Sequence, residues 1–421
     1  MDKNVRAGKT QIFVGCILLL CLASWGLQTY FSHGRHRNLL TAAYIIGVIK
    51  LQYYQPVSVR HLWDAYWRTG TIPGMLKILN DPYTRFLPKE EYSEMRKETE
   101  GVFGGIGIFF VPKEVELQIS SVIDGSPSDK AGLRSGDRII AIEKKSVTQL
   151  GIKTAIAKIK GAPDTPIRLR IARGEGKNRS EFTVLLTRAI IRIPTVKMKF
   201  KQGDFFGKYA QIKISQFAET TAADLQRELG RVNKEKSCKG VILDLRGNPG
   251  GELDAAIGVA GMFLPKGTPI LHIVNKNQTV AKVESQIGNQ LQLTLPMVVL
   301  VDNWSASASE IVAGALKDRK RAVLVGTRTF GKDLIQQITE LPGGPAVSVT
   351  VASYLTSGKR NIHKKGVQPD VAIEIPGAME RFLKTGNSDR FQEMQQLQEQ
   401  TAVRILREKV ITKDKPDKLA G

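Results

Sequence analysis

Three cysteines and five histidines are few for 421 residues. Cys16 and Cys21 lie in an apolar N-terminal stretch, which leaves Cys238 alone in the folded part. A single thiol excludes an internal disulfide there, and cysteine usage leaves the compartment open. The histidines fall at no metal-ligand spacing, so no metal is expected. Acidic residues are also short: 40 Asp and Glu stand against 62 Lys and Arg, a formal net charge of +22. That excess suits an anionic partner such as lipid headgroups or nucleic acid. No nucleic-acid module is recognisable, and the cations are spread along the chain, so nucleic acid is set aside. Apolar residues are plentiful, at 42% of the chain, and this length suits two or three domains with cores of their own.

Lys3, Arg6 and Lys9 precede a stretch, Ile12 to Ser32, that carries no charge. A charged start followed by an apolar segment is an export pattern, and counting to Phe31 gives about the 20 residues that a spanning helix needs. No A-x-A-like site follows, and Leu20 before Cys21 argues against a lipoprotein site. Residues 1–37 are expected to be an uncleaved signal anchor; a cleaved signal is the alternative, and a buried core helix the plain one. Residues 38–95 read as helical, over Leu39 to Leu51, Val59 to Thr69 and Ile72 to Leu79. Residues 96–190 are rich in glycine turns and alternating strands. Residues 191–375 alternate strands and helices, an α/β pattern. Residues 376–421 form a polar tail, helical around Arg390 to Lys409 with a thin apolar face; it suits a homodimer contact, a docking helix or partial disorder.

The chemistry concentrates in residues 296–336. Met297 to Val301 is short and apolar enough for a buried strand. The small-residue cluster Ser305-Ala306-Ser307-Ala308-Ser309 follows a turn, and a helical pattern starts near Glu310. Ala322 to Val325 is a second strand, and the loop from Gly326 to Gly331 delivers Lys332. A serine at a strand-to-helix turn sits beside free backbone N–H groups that can hold an oxyanion. It needs a base to become a nucleophile, and a lysine can serve if burial lowers its pKa. Spacing alone leaves the alternative of a small-residue helix start and a solvated lysine.

The segments SASASEIVAGAL and RAVLVGTRTFGK, with the glutamine beyond the lysine, resemble the C-terminal processing peptidases (tail-specific proteases). The resemblance implies Ser307 as nucleophile, Lys332 as general base and Gln336, one turn later, as the residue that orients the lysine. Arg246-Gly247-Asn248-Pro249-Gly250-Gly251 resembles the family's D-L-R-x-N-P-G-G loop, which implies an oxyanion hole of Gly250 or Gly251 with Ala308. Asp81-Pro82-Tyr83-Thr84-Arg85-Phe86-Leu87 and the segment from Tyr354 to Asp370 match further family motifs. Asp318 stands where some relatives carry a supporting aspartate; the end of a surface helix is its plainer reading. Two departures stand out. Asp333 replaces the usual glycine after the lysine, and an acid there favours the ammonium form. The loop after Thr356 lacks a proline and is one residue shorter.

Residues 96–190 resemble a PDZ domain. Gly104-Gly105-Ile106-Gly107-Ile108 matches its carboxylate-binding loop. Ser126-Pro127-Ser128-Asp129-Lys130-Ala131-Gly132-Leu133 and Gly136-Asp137-Arg138-Ile139-Ile140 match later elements, and alternating Ile167, Leu169 and Ile171 fit its ending. Such a loop holds a terminal carboxylate, and the strand edge beside it adds a peptide. The implied fold is an α/β core of the ClpP–crotonase kind with an inserted PDZ domain and an N-terminal helical region. The implied activity is a serine endopeptidase that captures protein substrates with a free apolar C-terminus and cuts by a Ser–Lys pair. The expected place is the bacterial envelope or periplasm, anchored to the inner membrane, with a thylakoid lumen as alternative. A homodimer or an activating partner fits the same picture. The rival class is a catalytically silent PDZ scaffold.

Overall fold

The computed structural model describes residues 34–112, 116–174, 176–192, 194–204, 206–288, 295–377 and 389–414. The stretch read as an anchor, residues 12–32, lies outside the described residues. Among the described residues no helix is long and apolar enough to cross a membrane. The chain divides into two compact units. Among the described residues, one gathers those up to Ser93 with Leu271–Val283 and Asp333–Asn361. The other holds those within Glu94–Ile270 and Glu284–Lys332 and from Ile362 onward.

In the first unit, the helix Gly34–Gln52 starts five residues earlier than expected, inside the stretch assigned to the anchor, Val59–Thr69 forms as expected, and Ile72–Leu76 passes into a 3-10 turn at Lys77–Leu79. Ser58 caps the second by accepting from the His61 N–H, and Gly70 ends it in the left-handed region at φ 67°. Leu62, Ala65 and Tyr66, at i, i+3 and i+4, are its buried face. These helices bury Ile45, Ile49, Tyr53 and Met75 in one core with Val347 and Val349 of the long strand Ala346–Thr356. That strand pairs antiparallel with Arg85–Leu87, Pro269–Asn275 and Leu334–Glu340. The Asp-Pro-Tyr-Thr turn is scaffold: Asp81 accepts from the Tyr83 N–H at 2.9 Å and the Thr84 hydroxyl at 2.7 Å. Thr84 Oγ1 in turn accepts from the Thr350 N–H at 3.0 Å. The shortened loop after Thr356 closes as a tight turn, with the Thr356 N–H on the Arg360 carbonyl and Lys359 at φ 60°.

The second unit contains two sheets that matter for function. One runs Val196–Gly203, Gly207–Ile214, Cys238–Asp244, Met297–Val301, Val323–Gly326, Val371–Ala372. Only the first pair is antiparallel. Met297–Val301 is apolar throughout, and Val241 to Leu243 are the apolar, buried centre of Cys238–Asp244, as both-sided burial in a parallel sheet requires. Crossover helices Thr221–Lys234, Leu253–Gly261 and Ala308–Asp318 connect them.

The C-terminal helix Asp389–Asp414 corrects the expectation of a thin apolar face. It packs Ala402, Ile405, Leu406 and Val410 against Ile242, Val298, Leu300 and Val325 of the sheet. The approach is close: a Cβ built at Gly240 would stand 2.7 Å from Leu406 Cδ1.

The PDZ sheet runs Ile108–Pro112, Leu117–Val122, Arg138–Ile142, Pro166–Arg173, Ser180–Thr187. Ile167, Leu169 and Ile171 alternate into its core as the pattern predicts. Asp137 anchors it with a buried carboxylate, accepting from the Arg134 N–H and from Arg173 Nε at 2.7 Å.

Candidate active site

Three loops leave the carboxyl ends of three adjacent parallel strands, Cys238–Asp244, Met297–Val301 and Val323–Gly326. That end of an α/β sheet is where ligands ordinarily bind. The first loop carries Gly250 and Gly251, the second Ser307, the third Lys332.

The first two loops are stitched together. Asp302 accepts from the N–H groups of Gly247, Trp304 and Ser305 at 3.0 Å each. The Asn248 carbonyl accepts from the Ala306 N–H at 3.1 Å and from the Ser309 hydroxyl at 2.9 Å. Ser305 Oγ donates to the Leu245 carbonyl at 2.9 Å. Ser307 emerges from this frame at φ 53°, ψ −113°, immediately before the helix Ala308–Asp318. A non-glycine residue there is strained, and such strain persists only where its surroundings over-determine it.

Glu310 fastens the second loop to the third. Its carboxylate is fully buried. It accepts from the Ser307 N–H at 2.9 Å, the Thr329 hydroxyl at 2.5 Å, the Gly331 N–H at 2.6 Å and the Lys332 N–H at 2.8 Å. Burial pushes its carboxyl above the ordinary range, against the pull of those four hydrogen bonds. One side chain therefore sets the separation of the serine and lysine backbones. From the other side the Lys364 N–H holds the Gly331 carbonyl at 2.9 Å, with Gly331 at φ 94°.

Gly250 and Gly251 part company. Gly250 stands at φ 105°, and a Cβ on it would lie 2.8 Å from the Ala306 carbonyl and 2.9 Å from Ser307 Cβ. Its N–H donates to Asn248 Oδ1 at 2.9 Å. The Gly251 N–H donates to no group among the described residues, nor does that of Ala308 at the helix start. The first loop is locked by a buried ion pair, Arg246 to Asp244 at 2.8 Å. Arg246 also donates to the Gln395 carbonyl of the C-terminal helix at 2.8 Å. Burial pushes the Asp244 carboxyl up, but Arg246 and Lys213 more than offset this and hold it below the ordinary carboxylate range.

Gln336 lies on the strand Leu334–Glu340 of the other unit, so its spacing from Lys332 is not a helical turn. Its side chain donates to Thr350 Oγ1 at 3.4 Å. Asp333 is buried in that same unit, close enough to Tyr54 for burial, Asp81 and Asp333 together to raise the phenol's pKa. Asp318 is the last residue of the Ala308–Asp318 helix.

The five predicted PDZ residues, Gly104 to Ile108, line a cavity of about 710 Å³ with Ile156 and Ile159. Inward ties fix the loop: the Ser128 N–H holds the Ile106 carbonyl and the Ile123 N–H that of Gly107. The N–H groups of Ile106 and Gly107 donate to no group among the described residues, which suits an anion. The strand Ile108–Pro112 is a sheet edge. Glu94 and Lys97 also line the cavity, a contribution of the Lys89–Glu100 helix that the glycine motif gives no sign of.

In the sequence pattern Glu310 marks only a helix start, and Asn248 and Asp302 stand only as turn residues with no role of their own. The signal for Glu310 was available, since serine followed three residues later by glutamate is a capping pattern.

A PDZ groove and a strained serine beside a lysine loop, on an α/β sheet, define a serine peptidase, and the chain belongs to peptidase family S41, whose profile matches residues 208–373. A PDZ profile matches residues 118–173. Its relatives include "Carboxyl-terminal-processing protease" of Synechocystis, 39% identical over 308 residues, covering 72% of this chain and 70% of that one. "Carboxy-terminal processing protease CtpA" of Bacillus subtilis is 36% identical over 328 residues, covering 78% of this chain and 67% of that one. Among solved structures, "photosystem II D1 C-terminal processing protease" superposes with a TM-score of 0.51 at 28% identity, covering 82% of this chain and 96% of that one.

Proposed function

We propose that this chain is a carboxyl-terminal processing endopeptidase in which Ser307 is the nucleophile and Lys332 its base. The observation that carries the reading is the Glu310 carboxylate, which binds the backbones of both residues at once. The PDZ groove takes a substrate's free carboxylate on the Ile106 and Gly107 N–H groups and its last side chain against Ile156 and Ile159. Ser307 Oγ bonds to the scissile carbonyl carbon while Lys332 takes the hydroxyl proton. The oxyanion is held by the Ala308 N–H and, because the Gly250 N–H is already engaged, by that of Gly251. Collapse breaks the C–N bond, and Lys332 gives its proton to the leaving amine. Water then releases the acyl-enzyme. Gln336 is assigned the orientation of Lys332 on family resemblance.

The apolar stretch Ile12 to Ser32 supports export and anchoring in a bacterial envelope membrane. Retention of the full chain in a membrane fraction washed with high salt tests this. Release by the wash counts against the anchor.

The activity test uses the full chain, Ser307→Ala and Lys332→Ala on an unfolded reporter ending in a free or an amidated apolar C-terminus. Cleavage of the free form only, lost in both variants, is the expected result. Cleavage that survives Ser307→Ala overturns the nucleophile, and binding without cleavage by the parent favours a scaffold.

A further inference from the structure

Phe330 is 54% exposed, although it stands between two buried residues, Thr329 and Gly331. Its backbone cannot retreat. The Phe330 N–H donates to the Ser305 carbonyl at 3.1 Å, two residues before Ser307, and the Thr329 N–H to the Val367 carbonyl at 3.2 Å. The Thr329 hydroxyl and the Gly331 N–H are both held by Glu310. The loop thus presents an aromatic ring to water beside the nucleophile's turn, two residues from the base. An apolar ring fixed in this way gains only when another apolar group covers it.

We infer that Phe330 is a specificity-determining residue: its ring walls the subsite for the substrate residue on the leaving-amine side of the cut and selects an aliphatic or aromatic side chain there. This rests on Ser307 and Lys332 as nucleophile and base. The side follows from the loops. The acyl oxygen belongs with the N–H groups of Gly251 and Ala308. Lys332, which returns the proton to the amine, marks the opposite side, and Phe330 is carried on the lysine's loop.

The test uses the full chain on single-site peptides that end in the same free apolar C-terminus and carry Leu, Phe, Ala or Gly directly after the cut. The parent should prefer Leu or Phe over Gly by about 10-fold or more in kcat/KM, the scale an apolar subsite can supply. Phe330→Ala should reduce that preference to about 3-fold or less, leave the Gly peptide near the parental rate and leave the melting temperature unchanged. Phe330→Leu should restore most of the preference for Leu. A preference unchanged in Phe330→Ala overturns the inference, as does an equal slowing on every peptide. A change confined to the residue before the cut overturns the assigned side. Ser307→Ala runs in parallel: cleavage that survives it overturns the nucleophile and this inference together. A parent silenced by Ser307→Ala but indifferent to Phe330→Ala overturns this inference alone.

Discussion

Four donors converge on the Glu310 carboxylate, and no other residue type offers the same set of acceptors in that space. Glutamine keeps the shape but has one acceptor oxygen and brings two donors of its own to face N–H groups. Glu310→Gln should therefore leave at least one buried N–H unpaired, at about 1–3 kcal/mol each, and lower kcat far more than it raises KM. Single-turnover cleavage together with urea denaturation would check both halves. Gly250→Ala is the matching steric test. At φ 105°, with the Ala306 carbonyl and Ser307 Cβ inside 3 Å, it should abolish cleavage without weakening capture of the peptide's C-terminus. Asp244 supplies a pH prediction. Its folded pKa is depressed, so its contribution is present above the ordinary aspartate value near 3.9 and is lost only as pH falls through the lower folded value. Asp244→Asn should destabilise by about 3 kcal/mol at neutral pH. The gap between parent and variant should narrow in denaturation curves as pH falls below the ordinary aspartate value and close once it passes the depressed folded value. At this scale the assignment of Ser307 and Lys332 comes from the family motifs around them, since spacing alone leaves a plain helix start and a solvated lysine open. Asn248 and Asp302 were not, because a polar residue after a strand reads as an ordinary turn.

The loops that carry the site are held by elements, and the C-terminal helix Asp389–Asp414 is the least obvious of them. Its buried stripe runs Phe391, Met394, Gln398, Ala402, Leu406, Val410, near multiples of three and four. Gln398 interrupts the apolar pattern, yet it is fully buried, donating to the Ile373 carbonyl and accepting from Arg246. A satisfied buried amide is indistinguishable in sequence from a solvated one, which is why the face read as thin. Leu406→Ala should cost about 2–5 kcal/mol. Gly240→Val should cost about 1–3 kcal/mol by overpacking the same contact. Calorimetry on both variants checks the claim, and a surface-like response below about 0.5 kcal/mol would refute it. The strands and crossover helices of the sheet were legible by contrast, since continuous apolar runs and 3.6-residue periods leave a local imprint.

At the scale of the whole molecule, the order of segments was readable but the grouping was not. The unit built on the N-terminal helices recruits residues 271–283 and 333–361, and pairings across such separations leave no local pattern. Gln336 falls in that unit, which is why its sequence distance from Lys332 carried no geometry. The strain at Ser307 also has a bearing on the whole chain. Alanine ordinarily makes a chain more stable than glycine by about 0.5–1 kcal/mol, because glycine gives the unfolded chain more freedom. At φ 53°, ψ −113° that order should reverse, since glycine relieves about 1–3 kcal/mol of strain that alanine retains. Thermal unfolding of Ser307→Gly and Ser307→Ala decides it. If the order reverses, the reactive turn is something that selection for robustness alone would erase. Drift would then have an easy downhill path from peptidase to inert peptide-binding protein, and position 307 is where that path would begin.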